Sequence, residues 1–132
     1  WILTPHPGEA ARLLQTDTVS IQSDRINAVR EIQARYGGVV VLKGAGTLIC
    51  DQNQQLFLAD VGNPGMATGG MGDVLSGIIG GLLAQGLSLG DAATTGVWLH
   101  GTAADVASAE GERGLLATDL LVPLRRLLNP DQ

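Results

Sequence analysis

The chain's most chemically suggestive stretch reads Gly62–Asn63–Pro64–Gly65–Met66–Ala67–Thr68–Gly69–Gly70–Met71–Gly72–Asp73 and runs straight into Val74–Leu75–Ser76–Gly77. Eight of the 19 glycines fall between Gly62 and Gly81. A glycine-dense loop that opens an apolar helix aims successive backbone N–H groups and the positive end of the helix at one spot. Proteins hold phosphate in this way without side-chain cations. A carboxylate at the junction is out of place in a site built only to hold anions. It suits a base working beside a bound phosphate: Asp73 would take a proton from an attacking hydroxyl. The Gly70–Gly72 backbone would stabilise charge developing on the phosphate in transfer. The competing reading of Asp73 is an ordinary helix N-cap. A cap alone needs no approach corridor such as Gly65, Thr68, Gly69, Gly70 and Gly72 provide.

Two further residues stand where such a site would want them. Lys43, the only lysine, ends the apolar run Val39–Val40–Val41–Leu42 and opens Gly44–Ala45–Gly46–Thr47. At the end of a buried strand its ammonium must either pair with a carboxylate or meet an anionic ligand. His6 lies between Pro5 and Pro7, which stiffen its loop at the end of the strand candidate Trp1–Leu3. That edge of an α/β sheet is where ligands collect, although a lone loop histidine is often incidental.

The elements that must position these residues alternate. A helix is expected from Gly8–Glu9 through Leu14. Another should run from Ser23 to Tyr36, capped by Ser23 or Asp24 and ended by Gly37–Gly38. Its inward positions would be Ile26, Val29, Ile32 and Ala34 or Tyr36, with Arg25, Arg30, Glu31 and Arg35 outward. Val39–Leu42 has the continuous β-branched pattern of a strand buried on both faces of a parallel sheet. Thr47–Cys50 and Leu56–Ala59 form a hairpin around Asp51–Gln55. Beyond the glycine loop, Val74–Leu83 is a central helix whose Gly77, Gly80 and Gly81 would let a neighbour approach closely. Ser88–Asp91 caps a helix running from Ala92 to about Ser108. A last helix begins at Ala117–Leu120, with Leu121, Leu124, Leu127 and Leu128 as its core stripe. The whole predicts a layered α/β fold.

Composition narrows the function classes. The 132 residues suffice for one core and are too few for two ordinary domains. Hydrophobic residues make up 45% and charged residues 16%, which indicates a folded protein. A net charge of −5 with no basic cluster argues against nucleic-acid and membrane-surface binding. The longest apolar run, Val74–Ala84, is too short to span a bilayer, and no signal peptide is expected. The single Cys50 permits no internal disulfide; it is expected as a small buried residue in a reducing, cytoplasmic protein. No G-x-x-x-x-G-K-[ST] loop occurs, and neither Gly70–Met71–Gly72 nor Gly44–Ala45–Gly46 completes G-x-G-x-x-G. The opening Trp1–Ile2–Leu3 reads as the end of a strand, so sequence is expected upstream.

Three segments together resemble the NAD(P)H-hydrate dehydratases of the ribokinase-like superfamily, long described as carbohydrate-kinase-like. They are Thr4–Pro5–His6–Pro7–Gly8–Glu9, Val40–Val41–Leu42–Lys43–Gly44–Ala45–Gly46–Thr47, and Gly62 through Gly77. His100–Gly101–Thr102–Ala103–Ala104–Asp105 and Gly114–Leu115–Leu116–Ala117–Thr118–Asp119–Leu120 are similar to that family's later helices. The resemblance implies a three-layer ribokinase-like fold, present here as the C-terminal part of one domain over residues 1–132. It implies dehydration of the S epimer of hydrated NADH or NADPH with ADP or ATP and Mg2+, by phosphate transfer to the ring hydroxyl and elimination. Asp73 would then be the base and Gly70–Gly72 the anion hole. Lys43, Gly44, Ala45, Gly46, Thr47 and Gly72 would contact the adenine nucleotide. His6 and Asp73 would meet the hydrated cofactor, and Asn63 would lie in the magnesium and phosphate region. Met71 stands where many members of the superfamily carry threonine or alanine, which leaves backbone donors only. A homo-oligomer is expected, and many bacterial members carry a fused epimerase domain. The alternatives are a hydroxymethylpyrimidine or sugar kinase on the same fold, or an inactive nucleotide-binding or oligomerisation fragment.

Overall fold

A computed structural model describes residues 1–130. Its element order is β1 (Ile2–Leu3), α1 (Pro7–Leu14), α2 (Thr18–Ser23), α3 (Arg25–Tyr36), β2 (Val39–Leu42), β3 (Thr47–Cys50), β4 (Leu56–Ala59), α4 (Met71–Ala84), α5 (Leu89–Ala107) and α6 (Leu121–Leu128). Short 3₁₀ turns at Pro64–Met66 and Ala117–Leu120 precede α4 and α6.

The four strands form one sheet in the order β1-β2-β3-β4. β1 pairs parallel with β2, Ile2 opposite Val39, whereas β2–β3 and β3–β4 are antiparallel. The sheet is therefore mixed, and the all-parallel environment expected for β2 holds on one side only. Its burial on both faces holds fully, since all four residues of β2 are inaccessible. Alternation sends Val40 and Leu42 to a core with Ala10, Ala11, Ile21, Val29 and Ile32 of α1–α3. Val39 and Val41 face Leu75, Ile79, Ala92, Ala93 and Val97 of α4 and α5. Each such side chain contributes about 1.5–3 kcal/mol relative to exposure. A smaller cluster of Met71, Ala103, Ala104, Leu115 and Leu120 seals the start of α4. The result is helices, sheet, helices: three layers.

The hairpin forms over the expected residues; Asp51 Oδ1 accepts from the amides of Asn53 (2.8 Å) and Gln55 (2.9 Å) at its turn. The helix expected from Ser23 to Tyr36 is broken at its start. Asp24, with φ −151°, ends α2 and caps α3 by accepting from Asn27 N. Asp17 caps α2 through Ser20 N at 2.7 Å, a bond that holds its carboxyl below the usual carboxylate range. In α3 the inward face is Ala28, Val29, Ile32 and Gln33, while Ile26 and Ala34 are exposed and Tyr36 reaches back to Leu13 O (2.8 Å). Arg25, expected to face outward, turns in beneath the β2–β3 loop.

Two expectations about packing are corrected. Gly77, Gly80 and Gly81 lie on the exposed side of α4, with open space where a side chain would begin. The glycine that brings α4 and α5 together is Gly96 of α5: a Cβ there would lie 2.7 Å from Ile79 Cγ1. In α6, Leu121 and Leu128 are both 53% exposed. The buried stripe begins one residue earlier, at Leu120, and continues through Leu124 and Leu127 at helical spacing. Among the described residues no helix is long and apolar enough to cross a membrane.

Candidate active site

An open pocket of about 570 Å³ lies at the C-terminal ends of the parallel strands β1 and β2. Thr4 and Pro5 follow β1 into it, Lys43 follows β2, and α1 contributes Glu9, Arg12 and Leu13. Tyr36 closes one side, and Gly72, Asp73 and Ser76 of α4 close another. Ligand sites collect at this edge of α/β sheets because loops diverge there and helix starts point inward.

Gly70 sets the start of α4. It adopts the left-handed conformation (φ 87°, ψ −11°), holds the N-cap position and offers no side-chain cap. The first amide of the helix to find a carbonyl is that of Val74, which donates to Gly70 O at 3.0 Å. The amides of Met71, Gly72 and Asp73 form the open first turn, where an anion gains from both the donors and the helix dipole. Asp73 is the third residue of the helix and exposed in the pocket wall, so it is not the N-cap. Lys43 comes to the same place: its Nζ is 3.1 Å from where a Gly72 Cβ would stand. It makes no ion pair among the described residues.

The structure thus brings together Lys43, Gly72 and Asp73, with Gly70 setting the helix start. His6 stands beside the pocket and is not in its wall. Its Nδ1 accepts from Glu9 N (3.2 Å) while its own amide donates to Glu9 Oε2 (2.9 Å), a capping box at the start of α1. With Nδ1 accepting, a neutral ring carries its proton on Nε2. Gly44, Ala45 and Gly46 lie in the β2–β3 loop and Thr47 opens β3, all outside that pocket. Thr47 Oγ1 donates to Gly44 O (3.3 Å), and Arg25 grips the loop from beneath. Asn63 is occupied at both ends of its amide. Oδ1 accepts from Gly65 N (3.0 Å), and Nδ2 donates to Asp105 Oδ1 and Ser108 Oγ, each at 2.9 Å. Asp105 Oδ2 also accepts from Gly62 N (2.9 Å), so α5 anchors the glycine loop. Among the described residues no group of three or more His, Cys, Asp or Glu is arranged to hold a metal. Cys50 is fully buried, and burial raises its thiol pKa, as suits an inert core residue.

Sequence reasoning gave no role to Arg25, Asp105 or His100. His100 of α5 is 7% exposed, and its Nε2 is buried without a partner. Burial pushes its pKa below the ordinary value of 6.5. The Met71 backbone nearby opposes that shift, and the charge of Lys43 adds to it. The signal available for it was a lone histidine in an alanine-rich helix, at the head of the segment that resembles the family's later helices.

A mixed sheet between helical layers, with a glycine-started helix aimed at its strand ends, defines the chain as ribokinase-like. It is similar over 98% of its length, at a TM-score of 0.81 and 32% identity, to 44% of a ribokinase-like superfamily protein from Enterococcus faecalis. Within that class the chain belongs to the NAD(P)H-hydrate dehydratase family, whose profile matches residues 1–126. It is 62% identical over 131 residues to the bifunctional NAD(P)H-hydrate repair enzyme Nnr of Coxiella burnetii, covering 98% of this chain and 27% of that protein. It is 52% identical over 130 residues to the ADP-dependent (S)-NAD(P)H-hydrate dehydratase of Neisseria meningitidis, covering 97% of this chain and 44% of that one. The ADP/ATP-dependent NAD(P)H-hydrate dehydratase of Bacillus subtilis, co-crystallised with ATP and Mg2+, matches at a TM-score of 0.92 and 35% identity over 99% of this chain and 48% of that one. The chain therefore spans about half of the single-function relatives and about a quarter of the bifunctional one.

Proposed function

We propose that this chain is the part of an ADP- or ATP-dependent (S)-NAD(P)H-hydrate dehydratase that carries the catalytic base and the anion hole. The observation behind this reading is that an uncapped helix start, the exposed Asp73 and Lys43, which makes no ion pair among the described residues, share one pocket wall. Asp73 accepts the proton of the hydrate's ring hydroxyl as that oxygen attacks the terminal phosphorus of the nucleotide. The nucleotide leaves one phosphate shorter. The bond between the ring carbon and the newly phosphorylated oxygen then breaks, phosphate carries the oxygen away, and loss of a ring proton restores the reduced nicotinamide. The amides of Met71, Gly72 and Asp73, with Lys43, stabilise the transferring group, and positioning plus electrostatics is most of what phosphoryl transfer needs.

The open amides and the lysine fit a polyphosphate. Magnesium bound to such a nucleotide is held mainly by phosphate oxygens and water, so the part of Asn63 is indirect, through the loop it braces. Lys43, Gly44, Ala45, Gly46, Thr47 and Gly72 make the nucleotide side, and His6, whose Nε2 lies 3.5 Å from Glu9 Oε1, assists the hydrate side. The reading extends to residues 1–132 as the C-terminal part of a longer domain, to a cytoplasmic homo-oligomer, and to a fused or partner epimerase.

The test uses the protein at its natural length, assayed against S-form hydrated NADH with ADP and ATP in parallel. Asp73→Ala is expected to lower turnover about 10²–10⁴-fold while nucleotide binding persists. Retained turnover sinks the assignment of Asp73. A stable phosphorylated vitamin precursor or sugar, with no repair of hydrated NADH, identifies a kinase instead.

A further inference from the structure

The β2–β3 loop is held from beneath by one side chain that the sequence pattern placed on the surface. Arg25 Nη1 donates to Ala45 O and Gly46 O, each at 2.9 Å, and Nη2 donates to Leu42 O at 3.3 Å. The guanidinium packs so closely under the loop that a Cβ on Gly44 would lie 2.9 Å from Nη2. Gly44 has φ 156° and Gly46 φ 71°, so both bend where glycine is favoured.

The consequence is one of peptide geometry. A trans peptide unit points its N–H opposite to its C=O. Arg25 pulls the carbonyls of Leu42, Ala45 and Gly46 inward, so the amides of Lys43, Gly46 and Thr47 turn the other way. The Lys43 amide meets Pro5 O at 2.9 Å, which ties the loop to the segment after β1. The Gly46 amide finds no backbone acceptor among the described residues. A fixed cation on one face of the loop thus presents the Gly46 amide, under a positive field, on the other.

We propose that Arg25 is a positioning residue for the adenine nucleotide: it touches no reacting atom and sets affinity by orienting the amides of the Gly44–Thr47 loop toward an anionic ligand. This rests on the reading that the loop serves a nucleotide. Lysine carries its three donors on a single nitrogen and cannot span three separated carbonyls as the planar guanidinium does, so Arg25→Lys should restore little.

The experiment measures ADP and ATP binding calorimetrically on the natural-length protein as wild type, Arg25→Met and Arg25→Lys, alongside steady-state dehydration of hydrated NADH. Hydrogen bonds to charged groups are worth enough that nucleotide Kd and nucleotide KM should rise about tenfold or more in Arg25→Met. The kcat and the KM for the hydrate should stay within about twofold of wild type. Arg25→Lys, which keeps the charge and most of the packing, should show most of the same nucleotide defect and settles the matter if Arg25→Met fails to fold. Unchanged nucleotide affinity in both variants overturns the proposal, as does a common fall in all kinetic parameters. Wild type that binds nucleotide but repairs no hydrate overturns the dehydratase reading alone, and the Kd ratio still decides on Arg25. Wild type that binds no adenine nucleotide overturns both.

Discussion

Two loops reach the start of α4, and they are held in opposite ways. The β2–β3 loop is gripped through its carbonyls by a single cation, Arg25, on a helix of the other layer. The glycine loop before α4 is gripped by a carboxylate and an amide: Asp105 and Asn63 join it to the long α5. The first fastening leaves donors pointing away and involves few core atoms. The second ties the loop to the body of the protein, because Gly101, one turn before Asp105, lets Val61 lie directly on the helix. Binding should therefore be adjustable at the first loop with little effect on stability, while damage at the second should be felt in the whole fold.

The largest expected effect on that contrast comes from Asp105→Ala. It orphans the Gly62 amide and takes one of the two acceptors from Asn63 Nδ2, which keeps Ser108 Oγ; an unsatisfied group of this kind costs about 1–3 kcal/mol. After allowance for partial exposure, a loss of about 3 kcal/mol is expected in urea unfolding of the natural-length protein. A variant that lost only nucleotide affinity, as Arg25→Met should, would erase the distinction. Gly101→Ala comes next. Its Cβ would stand 2.5 Å from Val61 Cγ2 and 3.1 Å from the Val61 carbonyl carbon, so the loop must shift. About 2 kcal/mol of destabilisation is expected, with turnover reduced because α4 starts from that loop.

A smaller effect involves His100, whose folded-state pKa is depressed by burial. The unfolded chain therefore takes up the proton more readily, so stability is lost as pH falls below about 6.5 toward the lower folded value. The slope from this one group cannot exceed about 1.4 kcal/mol per pH unit. His100→Gln should flatten the stability curve between pH 7 and 5 in thermal unfolding; an unchanged curve assigns the slope to other groups. The smallest expected change has the opposite sign. Gly77→Ala, on the open side of α4, should stabilise by up to about 1 kcal/mol. Destabilisation would mean that this face is covered in the natural-length protein.

What could be read from the chain without coordinates was whatever rests on local chemistry. The β-branched run of β2, the Asp51 turn and the glycine-led start of α4 each follow from neighbours in sequence; the first two stand where expected, and α4 begins at Met71, three residues ahead of the expected Val74. The short polar α2 gave no periodic signal, and its existence depends on Ile21 reaching the core from a capped single turn. Arg25, Asp105 and His100 could not be ranked above other polar residues, since their partners lie some 17 to 43 positions away or, for His100, in the burial itself. The α4 glycines misled for a related reason. Small residues permit close approach, but only the partner's position shows which of them is used, and here it is Gly96.

The mixed sheet also carries a consequence for how the chain comes together in time. β2, β3 and β4 are joined in series by short turns, so their antiparallel pairing closes small loops. The pairing of Ile2 with Val39 must wait until α1, α2 and α3 are wound into the intervening segment. Contacts of long sequence separation carry the larger closure entropy and form late. The meander should thus be the early nucleus and β1 the last strand to join, so Thr4 and Pro5, which follow it into the pocket, are placed only in the final folding step.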